Sequence, residues 1–142
     1  MIREQLIQTL QARLQGLTAA PVLRCESYSD EDEFVCVWDG TQQTEKTPYG
    51  GSEHTMEVAI EWLKKSVEDQ PATACNEMYN QVIKAIHTNE QGQFDASLNG
   101  LGRMAESSYT PLVPELGLKV IGVGISLQIS YTTATGNPEQ AI

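Results

Sequence analysis

At 142 residues the chain is the size of one domain with a single core, and its 40% apolar residues suffice for that core, yet no apolar run approaches a bilayer span. Nineteen acidic residues against nine basic give a net charge of −10. This argues against a nucleic-acid surface, which needs clustered Lys and Arg, whereas the one adjacent basic pair here is Lys64-Lys65.

The opening segment, MIREQLIQTLQARLQ, carries Arg3 and Glu4 and never builds an unbroken apolar stretch, so no secretory leader is expected. Residues 2–17 predict an amphipathic helix. Ile2, Leu6, Leu10, Leu14 and Leu17 recur every three to four positions, with Arg3, Glu4, Gln8, Gln11 and Arg13 mostly on other faces. Gly16 weakens the last turn and Pro21 closes the segment. One apolar stripe must be buried, and a sheet is the expected partner. Residues 26–33 (ESYSDEDE) place five acidic groups in eight positions, which predicts a solvated turn or a strand edge kept from sticking.

FVCVW then predicts a strand, and HTMEVAIEWLKK a second. In the latter Met56, Val58, Ile60 and Trp62 alternate with Glu57, Ala59 and Glu61, the period of a strand with one buried face. Between them, residues 39–53 carry Asp39-Gly40, Pro48 and Gly50-Gly51. These turn signals suit a short hairpin, a long arm that pairs with a neighbouring subunit, or a disordered loop. A second helix is predicted over 71–87, with Asp69 as N-cap and Pro71 in the first turn. Its inward stripe is Cys75, Met78, Tyr79, Val82, Ile83 and Ile86. Lys84 and His87 sit near its C-terminus, where positive charge suits the helix dipole, and His87 reads as a capping or solvated residue.

Leu101 to Thr110 predicts another strand, followed by a turn at LVPELG with Pro111 and Pro114. KVIGVGISLQISYTT carries the strongest strand signal in the chain. Ile121, Val123, Ile125, Leu127, Ile129 and Tyr131 share one face, and Gly122, Gly124, Ser126, Gln128, Ser130 and Thr132 the other. The two glycines suggest a bend or the close approach of another element. The tail 134–142 lacks core-forming residues except Ile142 and is expected to be loosely held. The expected fold is a single α+β domain over 1–142. It has a mainly antiparallel or mixed sheet of four to five strands, two helices on one face, and an exposed arm around 40–53.

Chemical motifs are sparse. GGSEH lacks the Lys-Ser/Thr ending of a phosphate-binding loop, and NGLG and GVG are too short for a dinucleotide fingerprint. No Cys-x2-Cys or His-x3-His spacing suggests zinc, and His54 and His87 stand apart. Three cysteines cannot all pair with one another. They are expected as reduced thiols, with Cys36 and Cys75 as small buried hydrophobes. The sharpest enzymatic idea is Cys25 meeting His54 or His87 with an Asp as orienter, against the plainer reading of a semi-buried thiol. Glu57 and Glu61 could form a carboxylate pair, or simply the polar side of a strand. No catalytic, cofactor or metal site is expected.

The helix IREQLIQTLQARL leads into an acidic stretch, DGTQQTEKTPYGGSEHT feeds the strand MEVAIEWLKK, and the helix ATACNEMYNQVIKAIH precedes two strands closing in ISYTTATGNP. In that order of elements, over nearly the whole chain, the sequence resembles the tail terminator family of long-tailed bacteriophages, which includes the lambda-like minor tail protein U and related prophage tail proteins. The resemblance implies a structural protein, without catalysis or cofactor, that forms a homohexameric ring on the end of the tail tube. Such a ring stops tube elongation and offers a surface to the neck of the head. It implies the chain itself, the tail tube protein and a neck protein as partners, with neither nucleic acid nor membrane. Its place would be the host cytoplasm and then the virion or tail-like particle. By position, the resemblance assigns an interaction arm to Thr41, Gln42, Gln43, Thr44, Glu45, Lys46, Thr47, Pro48 and Tyr49. Another neck or head–tail connector protein, or a small cytoplasmic enzyme or binding domain, are the alternatives.

Overall fold

In chain order the elements are α1 (Ile2–Leu14), β1 (Val22–Arg24), β2 (Glu33–Lys46), β3 (Gly51–Lys65), α2 (Pro71–Ile86), β4 (Arg103–Leu112), β5 (Val120–Ala134) and β6 (Asn137–Ala141). The computed structural model describes residues 1–18, 21–24, 32–66, 69–113 and 119–141. Expectations placed on Cys25, on the acidic run up to Glu31 and on residues 114–118 lie outside them.

The strands form one sheet in the order β1-β2-β3-β5-β4, with β6 also paired to β5. β1 runs parallel to β2 and every other pairing is antiparallel. Both helices cover the same face. Their stripes (Ile2, Leu6, Ile7, Leu10 and Leu14 from α1; Cys75, Met78, Val82 and Ile86 from α2) are buried against Val35, Val37, Val58, Ile60, Trp62 and the odd-numbered residues of β5 from Ile121 to Ile129. The fold is thus α+β, a helical layer on one side of a mostly antiparallel sheet. Each fully buried aliphatic side chain of this layer contributes roughly 1.5–3 kcal/mol relative to exposure.

Several expectations change in detail. The sheet has six strands rather than four to five, because β1 is only three residues long and β6 is short and polar, so neither carries a period-2 signal. The tail expected to be loose forms β6, fully exposed but paired to β5 at Thr133↔Ala141 and Ala134↔Asn137. α1 ends at Leu14, and Leu17 is only half-buried. The residue before α2 is Gln70 rather than Asp69, and it makes no side-chain cap. Cys36 is fully buried as expected but disulfide-bonded, so the reduced state fails there; Cys75 is free and buried.

Two bulges decide which side chains face the helices. In β2, Asp39 pairs with Val58 and Gln42 with Met56, so Gly40 and Thr41 together oppose Glu57. That extra residue turns Gln42 and Thr44 inward, whereas strict alternation from Asp39 would turn Thr41 and Gln43 inward. A Cβ at Gly40 would run into the Glu57 carbonyl, so only glycine fits. In β4, the extra residue Ser107 lets Glu106 and Tyr109 face the same side. There Tyr109 stacks on Tyr79 of α2 with ring centroids 4.3 Å apart, and Tyr79 donates its hydroxyl to Glu106.

The ends of both helices are tied by one ion pair. Arg13 lies 2.7 Å from Asp95, and the two side chains are only 5% and 13% exposed. Arg13 also donates to the carbonyl of Ile86 at the C-terminus of α2, where the helix dipole favours a cation. Asp95 in turn caps the turn of Leu98, Asn99 and Gly100, three consecutive residues with positive φ, by accepting from Ser97 and Asn99. The buried Leu98 holds this unusual backbone in place from the core side.

Candidate assembly surface

The β2–β3 hairpin is an ordered part of the sheet. Its outer segment pairs through Lys46↔Ser52, and β3 in turn pairs with β5 as far as Gly51↔Ala134. The turn at 47–50 is closed by the Thr47 amide on the Gly51 carbonyl at 2.9 Å, and Gly50 takes a positive φ of 78°. Of the nine residues expected to form an arm, Thr41, Gln43, Thr44, Glu45, Lys46, Pro48 and Tyr49 are exposed, with Tyr49 93% exposed at the tip. Gln42 and Thr47 are half-buried, and Gln42 together with the exposed Thr44 lies on the side of His54 and bonds to its ring. Gly51 and Ser52 are buried, which moves the boundary of the free segment back to about Gly50.

The hairpin is anchored by polar rather than apolar groups. His54 is 9% exposed and sits across from Thr44 on β2 and Tyr131 on β5. Its Nδ1 lies 2.8 Å from Thr44 Oγ1 and 3.3 Å from Gln42 Nε2, and its Nε2 lies 2.8 Å from Thr133 Oγ1. Gln42 Oε1 accepts from Arg3 at 3.0 Å and from the Tyr131 hydroxyl at 2.6 Å. Burial pushes the His54 imidazole below its ordinary value and the Tyr131 phenol above its own. Arg3 also donates to the Gly40 carbonyl, which joins the N-terminus of α1 to the bulge. Nearby, Arg24 pairs with Asp39 and Glu4; the Asp39 bond first, then Glu4, holds its guanidinium charged.

Two further surfaces lie away from the hairpin. The side chains of Gln5, Thr9, Ala12, Gln81, Ala85 and Thr88 line a groove of about 1010 Å³ between the helices. On the uncovered face of the sheet, Trp38, Ala59, Ser126 and Ser108 stand in one row across four strands and line a depression of about 430 Å³. Among the described residues, the outer edge of β4 and the edge of β2 from Asp39 onward pair with no further strand.

The pairing of Cys25 with a histidine lies outside the described residues, and the other chemical candidates do not assemble. His54 is engaged at both ring nitrogens, and His87 closes α2 through Nδ1 on the Ile83 carbonyl at 2.8 Å, as a capping residue does. Glu57 and Glu61 share a face, but Ala59 stands between them and strand geometry separates them by about 13 Å. Among the described residues, no three His, Cys, Asp or Glu are placed to hold a metal. None of their helices is long and apolar enough to cross a membrane. Sequence reasoning missed the His54–Thr133–Tyr131–Arg3 network, although His54 shares the parity of Met56, Val58 and Ile60.

No family model matches this sequence. No curated protein matches it. One solved structure that resembles it is titled "Virion of native gene transfer agent (GTA) particle"; the superposition covers 88% of this chain and 90% of that one, with 9% identity and a TM-score of 0.47. At that level the likeness assigns neither a family nor a role.

Proposed function

We propose that the protein is a non-catalytic structural subunit of a phage or prophage tail. Copies of it would form a ring that caps the tail tube, ends its elongation and receives the neck. The observation that carries this reading is the hairpin beyond the apolar core, with exposed residues on both strands and Tyr49 almost wholly in solvent at its tip. Large exposed aromatics are the residues interfaces use as anchors. Among the described residues, β2 from Asp39 onward and β4 pair with no further strand on their outer sides, and these lie at opposite sides of the sheet, as the two unlike patches of a head-to-tail ring contact require. The order of elements on which the resemblance to tail terminators rests is also the order of this fold.

The test replaces Glu45–Glu53 by a two-residue Asn-Gly turn, which joins Thr44 directly to His54 in hairpin geometry. Light scattering of the unaltered chain should give a mass six times that of one subunit, and the shortened chain a monomer with unchanged circular dichroism. A shortened chain that still forms the same assembly would remove the hairpin from the interface.

A further inference from the structure

The helical layer is not closed across its width. The groove-lining positions of the two helices are short, with Thr9 and Ala12 on α1 and Ala85 on α2. Side chains of this length leave the groove of about 1010 Å³ between the helices open. Leu17 and Leu101, half-buried against the core, give it an apolar lining, and Gln5 and Gln81 are exposed at its rim. A concavity of that size, apolar with a few polar groups, suits an inserted side chain. Lys84 lines it from α2, and among the described residues Lys84 has no ion-pair partner.

The β2–β3 hairpin carries the complementary features. Tyr49 stands 93% exposed at its tip. Behind the tip Glu45 lies directly across from Glu53, a like-charge pair that disfavours the strand pairing. Lys46 belongs to the opposite face by strand alternation, and no described cation pairs with either glutamate.

We propose that the groove between α1 and α2 receives the hairpin tip of a second copy of this chain, with Tyr49 inserted and Glu45 and Glu53 beside Lys84. The contact rests on the ring reading above and specifies how neighbours join. None of residues 41–50 lines the groove of its own chain. Tip and groove are therefore unlike patches, and a contact between them passes from copy to copy as a ring requires. The exposed Phe94 gives a different geometry. It stacks on His87 and bridges to Thr88, which lines the groove, so Phe94 and the groove form one patch. Contact of that patch with its like is reciprocal and stops at a dimer.

Sedimentation velocity on full-length variants, each checked by circular dichroism, tests the contact. Tyr49→Ser removes the tip and Ala12→Trp fills the groove, both at exposed positions where the fold tolerates substitution. Each variant alone should sediment as a monomer where the unaltered chain assembles. Their equimolar mixture should give dimers and nothing larger, because one intact tip meets one intact groove. Lys84→Glu should raise the concentration needed for assembly about five-fold, the worth of an exposed ion pair. Adding Glu45→Lys and Glu53→Lys to it should restore assembly. Full-sized assembly of Ala12→Trp, a mixture that stays monomeric, or no rescue by the charge exchange would each overturn the groove contact and leave the ring. An unaltered chain that is monomeric, or a dimer abolished by Phe94→Ser, would overturn the ring and the contact with it.

Discussion

Arg13 and Asp95 join the ends of both helices to the left-handed turn at 98–100. The Asp95 carboxyl is held well below the usual carboxylate range, first by the Ser97 hydroxyl, then by the amides of Asn99 and Ser97 and by Arg13. A depressed carboxyl stabilises the fold above the unfolded value near 4, and that stability is lost progressively as pH falls below it. Asp95→Asn should therefore cost on the order of 2–3 kcal/mol at neutral pH, the range for hydrogen bonds to a charged group. The difference from the unaltered chain should shrink between pH 4 and 2, as measured by urea unfolding at each pH. A pH-independent difference would mean that shape rather than charge matters at this position. Histidine 54 works in another window. Its stabilising neutral form is lost as pH drops through and below 6.5, so the two effects separate on one pH titration.

At the scale of elements, β5 shows what alternation can and cannot reveal. Its buried face is continuous in the sequence, and the strand lies within one residue of the expected span. Its two glycines look alike in the sequence but differ in the structure. A Cβ on Gly122 would come within 2.7 Å of Leu63 Cδ2 and closer still to the Trp62 carbonyl, whereas on Gly124 its nearest neighbour would be the Thr110 carbonyl at 3.9 Å. Gly122→Ala should cost about 1–3 kcal/mol as overpacking, and Gly124→Ala should be neutral or slightly stabilising; thermal unfolding of the two variants distinguishes them. Equal effects would mean that Leu63 does not constrain the strand. The helices, the β3 and β5 alternation and the layer arrangement were legible because each repeats a signal over many residues. The inward turn of Gln42, Thr44 and Tyr109 was not. It depends on single extra residues in β2 and β4, and one such residue reverses the parity of everything after it. His54 was legible in principle, because the parity of β3 continues back through it. Its partners were not, since Thr133, Tyr131 and Arg3 reach it from other elements.

For the whole molecule, the charge of −10 sets the sign of a test of assembly. Two copies approaching each other carry like charge, so their association is opposed by long-range repulsion that added salt screens. Binding to a basic partner has the reverse dependence, because the attraction itself is screened. If self-association is the main use of the surface, sedimentation velocity at micromolar concentration should show the larger species growing from about 50 mM to 500 mM salt, over which the Debye length falls from about 14 to 4 Å. The increase should persist in Tyr49→Ser only if the tip is dispensable. That substitution at a 93% exposed position should leave stability within about 0.5 kcal/mol, so any loss of mass would report contact rather than misfolding. A chain that stays monomeric at every salt and concentration would rule out a preformed ring. The hairpin would then have to meet a surface supplied by another protein, and capture by a basic surface should weaken, not strengthen, as salt is raised.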